Sequence, residues 1–340
     1  KVGKAIYNIL SQSTDVQSNF PFNTTDYAPT GTELVTNGDF SAAGSNLVSN
    51  PNFTDTGSDV VINGTFATDT NWAKNSNWTI SGGEAISNGT SSATINQSSI
   101  LTEGVSYKIS FEITEYTSGS GYSVRAGAGT TYSTAVTSLG VHTFYQVATG
   151  NPLYGEHIYI KASGDTIGKI TNVTAEPLGA DWVLNSNWSI GGGGAIADGT
   201  SDGTLWQSGV VEDNKSYKVT YTLSDFTQGS ISVDLSGTNG ATRTTAGTYI
   251  DYILSGTSPT TRFSFEGSGS FIGTISSISV QELGEGWTLF SDVSIGEDKL
   301  ICDNVAAYTS IASQSGVVPT EKSVKVTYDI VVDSGAFRLL

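Results

Sequence analysis

The sequence predicts an all-β protein of tandem jelly-roll β-sandwiches, with a short N-terminal helix and an extended arm. Three observations predict it. Apolar and polar residues alternate in Tyr107-Lys108-Ile109-Ser110-Phe111-Glu112-Ile113 and again in Tyr217-Lys218-Val219-Thr220-Tyr221-Thr222-Leu223, the period of half-buried strands. Turn residues such as Gly82-Gly83, Asn88-Gly89 and Gly119-Ser120-Gly121 punctuate the chain at about the 8–12-residue spacing of a sandwich. Finally, Trp72, Trp78, Ala85, Ile86, Gln97 and Tyr107 recur 110 positions later as Trp182, Trp188, Ala195, Ile196, Gln207 and Tyr217, so one supersecondary pattern is used more than once.

The elements follow in order. Val2, Ala5, Ile6, Ile9 and Leu10 fall at helical spacing, which predicts a short amphipathic helix over 2–11. Residues 12–32 hold Pro21 and Pro29 and show no period, so 1–33 reads as a helix-and-arm anchor. Residues 34–66 contain three 13-residue hooks: Leu34-Val35-Thr36-Asn37-Gly38-Asp39-Phe40, Leu47-Val48-Ser49-Asn50-Pro51-Asn52-Phe53 and Val60-Val61-Ile62-Asn63-Gly64-Thr65-Phe66. Each is an apolar pair, a turn at Asn and a Phe that can fold back. The expected jelly-roll modules are 67–179 and 180–284, with a partial third at 285–340, where Ser323-Val324-Lys325-Val326-Thr327-Tyr328 echoes the run from Ser216.

Composition removes several function classes. Among 340 residues, Lys and Arg total 15 against 32 Asp and Glu, a net charge of −17. Without a basic cluster, phosphate backbones would repel such a chain, so nucleic acid is not an expected partner. No apolar run approaches the 18 residues or so of a membrane-spanning helix. Cys302 is the single cysteine and His142 and His157 the two histidines, which excludes a disulfide scaffold and a His-rich metal centre. Charged residues make up 14% of the chain, well under the roughly 25% of an ordinary soluble domain. That balance, with abundant Gly, Ser, Thr and Asn, suggests a virion or extracellular location.

No catalytic set emerges. Glycosidase chemistry needs two carboxylates across a cleft. Glu112, Glu115, Asp225 and Asp234 are candidates by type alone and read as solvated faces or loop caps. Nucleophile elbows, Cys–His pairs and His-Glu-x-x-His are missing from the sequence, so the chain is not expected to be an enzyme and no catalytic residue is assigned. Trp72, Trp78, Trp182 and Trp188 recur with the scaffold and read as core. Trp206 differs. It stands where the first module has Asn96, and Leu205 beside it takes the opposite strand face, so Trp206 points outward and, with Gln207, is the candidate ligand contact.

The order Asn-Gly-(Asp/Thr)-Phe, a following Trp, Trp-(Thr/Ser)-Ile-(Ser/Gly)-Gly-Gly, a Gln-bearing strand and Ser-Tyr-Lys-(Ile/Val) resembles the galactose-binding-like carbohydrate-binding modules of the family 4/9 kind. Tandem modules of this type resemble those in structural and fibre proteins of tailed phages and in bacterial surface proteins. The resemblance covers about 34–340. In that family an acidic residue often follows the opening Phe and helps bind calcium; here Ser41, Thr54 and Ala67 follow instead, so calcium is not expected and no cofactor is assigned. Residues 1–11 faintly resemble the first helix of phage tail-completion proteins.

The resemblance implies a virion structural or fibre protein. Its N-terminal arm would dock on the particle through Val2, Ile6, Ile9 and Leu10, and its modules would project as a spacer or host-surface binder. Phe40 and Phe53 of the hooks would engage a neighbouring subunit by strand addition. The expected partners are other virion proteins, further copies of the chain in a homo-oligomer, and host surface glycans. The alternative is a glycan-binding module of a secreted or cell-surface bacterial protein.

Overall fold

A computed structural model describes residues 2–9, 32–90, 92–128, 131–149, 156–185, 187–290, 293–303, 311–318 and 324–331. Among these residues the structure is all β, with several sheets and no helix. The chain divides into two compact units, Ala43–Leu283 with Ser294–Glu297, and Lys1–Ala42 with Gly284–Val293 and Asp298–Leu340.

The larger unit holds two hydrophobic cores. The first lies between two sheets. One sheet uses β3 (Trp78–Ser81), β4 (Glu84–Asn88), β6 (Ser106–Ser118), β8 (Gly140–Val147) and β10 (Ile167–Pro177), in the order β3-β4-β10-β6-β8. The other uses β2 (Ala73–Lys74), β5 (Ala93–Gln97), β7 (Tyr122–Ala126) and β9 (Ile158–Ala162), in the order β2-β5-β9-β7. The period of two explains the packing: Ile109, Phe111 and Ile113 of β6 face Ile95, Val124, Ile158 and Ile160 of the other sheet, all buried. Between β6 and β7 the chain turns at Gly119, at φ +111, where a Cβ would lie 2.2 Å from Thr166 Cα. Only glycine fits there.

The second core is built from β11 (Val183–Leu184), β12 (Trp188–Gly191), β13 (Gly194–Asp198), β14 (Thr204–Ser208), β15 (Ser216–Leu235), β16 (Thr238–Asn239), β17 (Gly247–Leu254) and β18 (Arg262–Glu282). Here β15 and β18 run through 20 and 21 residues. Register shifts between Thr220 and Ser230 bend them, so one continuous sheet covers both sides of the core. Trp188, Tyr217, Tyr221, Phe263, Phe265 and Phe271 fill it.

The smaller unit contains β1 (Val2–Ile9), β19 (Thr288–Leu289), β22 (Ala312–Ser313) and β23 (Val324–Val331). The remaining strands are β20 (Val293–Gly296) and β21 (Lys299–Cys302). β19 pairs with β22, and β1 pairs antiparallel with β23 from Val2↔Val331 to Ile9↔Val324. The helix expected over 2–11 is therefore corrected for 2–9. Gly3 costs a helix about 1 kcal/mol relative to alanine, whereas Val2, Ile6, Tyr7 and Ile9 suit a strand once an open edge is available. Leu10 and the arm up to residue 31 lie outside the described residues.

The three hooks share one local geometry. In each, Asn takes positive φ (Asn37 51°, Asn50 46°, Asn63 57°), a conformation Asn tolerates. The Phe N–H then donates back to the Asn carbonyl at 3.1–3.2 Å. Each hook meets one tryptophan. Trp72 donates its indole N–H to Asn63 O at 3.0 Å, Trp182 to Asn50 O at 3.2 Å, and Trp287 to Asn37 O at 3.0 Å. The ring centroids of Phe66–Trp72, Phe53–Trp182 and Phe40–Trp287 lie 5.1, 4.9 and 5.1 Å apart. Gln97, Gln207 and Gln314 clamp the backbones of Ile62, Ser49 and Thr36, each amide accepting an N–H and donating to the same residue's carbonyl. The hooks thus serve the tryptophans in reverse order. Phe53 and Phe66 are 1% exposed in the second and first cores, and Phe40 is half-buried on Trp287. Phe53 and Phe40, the residues expected to dock on a neighbouring subunit, both pack on the chain's own tryptophans.

Candidate ligand-binding face

The pleat of β5, β9 and β7 sends Ile95, Ile158, Ile160, Val124 and Ala126 inward, and Ser123 on the opposite phase of β7 is also buried. The intervening residues fall on the outer face. Register then places Asn96, Tyr159 and Arg125 side by side in one row, with Thr94, Lys161 and Ser123 in the next.

Arg125 organises this face. Its guanidinium lies 4.4 Å from the Tyr159 ring centroid and 4.7 Å from that of Tyr132. Lys161 Nζ lies 5.2 Å from the Tyr132 centroid. Such contacts hold a cation against an aromatic face and fix both groups. His157 Nδ1 is 3.0 Å from the Tyr159 hydroxyl, and the two ring centroids lie 5.6 Å apart with the planes tilted by 34°. Burial pushes the Tyr132 phenol up, against the opposing pull of Arg125, so it stays a neutral hydroxyl. Tyr132 is delivered by its neighbour: Ser133 N donates to Val124 O at 2.8 Å, and Ser133 Oγ accepts from Val124 N at 3.0 Å.

The arrangement offers two aromatic rings, an amide and a cationic cluster on a half-exposed sheet face. Aromatic faces stack on the C–H faces of planar or ring-shaped ligands. Arg and Lys add charge-assisted bonds to carboxylate or sulfate. The positive patch stands out on a chain of net charge −17.

In the second sandwich the equivalent row is Trp206–Ser264–Asp234. Trp206 is half-buried on the outer face, with Arg262 5.8 Å from its ring. Glu266 occupies the place of Lys161 and pairs with Arg262 at 3.6 Å. The two faces therefore carry opposite charge patterns. Gln207, the other residue expected at a ligand, is 5% exposed and holds Ser49 through both amide groups, so the structure separates it from Trp206. Val2, Ile6 and Ile9 lie on β1.

The carboxylates considered for hydrolysis are engaged one by one. Glu112 accepts from Asn172 Nδ2 at 2.9 Å, Glu115 pairs with Lys169, Asp225 accepts from Ser224 Oγ at 3.1 Å, and Asp234 accepts from Gly237 N at 3.2 Å. Among the described residues no three His, Cys, Asp or Glu side chains gather as a metal site. Sequence reasoning missed Arg125, Tyr132 and Tyr159. The available signal was the alternation of Ile158-Tyr159-Ile160-Lys161, which places an aromatic and a cation on the outer phase.

No protein-family model and no curated protein matches the sequence. Solved structures that match parts of this chain include two tandem carbohydrate-binding modules and a lectin. A fucolectin from Morone saxatilis (striped bass) serum has 10% identity and a TM-score of 0.23, over 60% of this chain and 86% of that one. The CBM22-1-CBM22-2 tandem domain from Paenibacillus barcinonensis Xyn10C has 7% identity and a TM-score of 0.24, over 67% and 98%. The tandem CBM51 modules of Sp3GH98, a family 98 glycoside hydrolase from Streptococcus pneumoniae SP3-BS71, have 8% identity and a TM-score of 0.23, over 59% and 84%.

Proposed function

We propose that the chain is an extracellular glycan-binding protein and that its first sandwich takes an acidic saccharide on the face of Asn96, Tyr159 and Arg125. The observation that carries the reading is the Arg125 guanidinium held between the Tyr132 and Tyr159 rings beside Lys161. A uronate or sulfated sugar would stack on a tyrosine and give its anion to Arg125 or Lys161. Trp206 provides a second contact of different charge. The roles are binding roles, and no step of bond cleavage is assigned.

Binding of the full chain to an array of neutral, uronic and sulfated glycans tests this. Acidic glycans should bind, and Tyr159→Ala and Arg125→Ala should each weaken binding at least about tenfold, or about 1.4 kcal/mol. Absence of binding across both acidic and neutral glycans would overturn the reading.

A second reading, a spacer or fibre of a tailed-phage particle presenting this face to a host, is favoured by the serial joining of the sandwiches. Ser106 of β6 accepts the backbone N–H of Ile190 in the following sandwich at 2.9 Å. Mass spectrometry of purified particles, finding or failing to find the chain, decides it.

A further inference from the structure

One place in the second sandwich is built from polar groups where the first uses apolar ones. Gly240 N donates to Val233 O at 2.8 Å, as Ser133 N donates to Val124 O at 2.8 Å. Three residues further on, Arg243 bridges Ile231 as Val136 bridges Tyr122. Asp251 lies opposite Val219 as Phe144 lies opposite Ile109. The second sandwich therefore has Gly240, Arg243 and Asp251 where the first has Ser133, Val136 and Phe144. Val136 and Phe144 pack on the first core, and Phe144 stacks on Phe111 at 5.5 Å. The architecture itself thus does not require the polar set.

The exchange opens space. Gly240, Asp251 and Ile253 line a cleft of about 500 Å³ together with Thr238 and Asn239. A Cβ on Gly240 would fall 2.9 Å from Ile253 Cδ1 and 3.3 Å from Asp251 Oδ2, so a side chain there would fill the cleft against the carboxylate. Asp251 is 7% exposed. Its Oδ1 pairs with Arg243. Its Oδ2 is buried and, among the described residues, accepts no hydrogen bond. A buried acceptor without a donor carries a desolvation penalty that a bound donor relieves.

We propose that this cleft binds a neutral polyol, one uncharged sugar ring in size, whose hydroxyl donates to Asp251 Oδ2. Charge selects the class. Arg243 already neutralises Asp251, so a cationic ligand would leave an uncompensated positive charge beside the guanidinium, and an anionic one would face the carboxylate oxygen. A hydroxyl supplies the missing donor and adds no charge. The cleft has the volume of a small-molecule site. Ile253 gives it an apolar wall for C–H groups, and the exposed Asn239 can bond further hydroxyls at the rim. The site lies in the other sandwich from the acidic-saccharide face and takes a ligand of different charge, so it does not rest on that reading.

Saturation-transfer NMR of the full chain with glucose, galactose, mannose and xylose at millimolar concentration tests the proposal. At least one should receive saturation from the protein, and backbone amide shifts of the unmutated chain should move at 238–241 and 251–255. Gly240→Ser introduces the side chain that the first sandwich carries there. It should weaken binding at least about tenfold and leave the binding of acidic glycans as it was. Asp251→Asn should weaken it too, and circular dichroism checks that both variants fold. No transfer to any of the four sugars, amide shifts confined to other segments, binding indifferent to the folded variants, or stronger transfer to cationic glucosamine than to every neutral sugar would each overturn it.

Discussion

The indole N–H of Trp182 donates to the backbone carbonyl of Asn50, 132 residues earlier, at 3.2 Å. Trp72 makes the same bond across 9 residues and Trp287 across 250. Each bond closes a wider loop around the last, so the chain is nested. The hooks at Asn50 and Asn37 therefore meet tryptophans far downstream, whereas the hook at Asn63 meets one close by.

Nesting predicts which core each hook supports. Phe53→Ala should destabilise the second core by about 3–5 kcal/mol, the usual cost of emptying a buried aromatic site, and leave the first near its native stability. Phe66→Ala should do the reverse. Hydrogen exchange read peptide by peptide checks this: protection should fall in β15 and β18 for Phe53→Ala, and in β6 and β9 for Phe66→Ala.

Gln207 and Trp206 are neighbours with separate effects. Gln207→Leu removes both bonds to Ser49 and strands that backbone, at about 1–3 kcal/mol. Trp206→Ala should change thermal stability by less than about 1 kcal/mol, because the ring is half-exposed on the outer face. Denaturant titration of the two variants separates them.

An ion pair between a half-buried arginine and a buried carboxylate in the second sandwich has an apolar counterpart in the first. Arg243 pairs with Asp251, which is 7% exposed, and stacks on Tyr249 at 4.5 Å. The equivalent positions are Val136 and Phe144, matched through the bridges Tyr122↔Val136 and Ile231↔Arg243 and through the partners Ile109 and Val219. Arg243→Val alone leaves a buried carboxylate unpaired and should cost about 3–5 kcal/mol. The double change Arg243→Val with Asp251→Phe should recover most of that loss, measured by calorimetric Tm.

Alkaline stability should respond to two buried tyrosines. Burial pushes Tyr122 and Tyr221 up to about 12 from the ordinary 10.0, with Asp251 adding to the effect at Tyr221. A raised folded pKa gives stability that is complete below pH 10 and is lost as pH rises from 10 toward 12, where the unfolded chain ionises first. Phenolate absorbance should show late-titrating groups, and Tyr122→Phe should shallow the decline in Tm over that window.

Much of the architecture is legible in the residues. The alternation at Tyr107–Ile113 and Tyr217–Leu223 specifies half-buried strands because a pleat sends successive side chains to opposite faces. The outward Trp206 follows from the same rule applied to Leu205. At 2–9 the pattern was ambiguous: Val2, Ala5, Ile6 and Ile9 fit a helix, but Gly3 disfavours one and the β-branched residues fit a strand as well, and pairing with β23 decided between them. The proposed ligand face was hidden for another reason. Asn96, Tyr159 and Arg125 come from three strands far apart in sequence, and only register brings them into one row.

The sequence by itself determined repeated β units, with three hooks, the tryptophan pairs Trp72/Trp78 and Trp182/Trp188, a further Trp287, and Gln97 and Gln207 at matching places. It could not assign hooks to bodies. The three hooks are nearly identical in residues, so local chemistry gives no preference among Trp72, Trp182 and Trp287. Connectivity decided it. The hook nearest in sequence closes the shortest loop at the least entropic cost, and the remaining two enclose it in turn because chains avoid threading through closed loops.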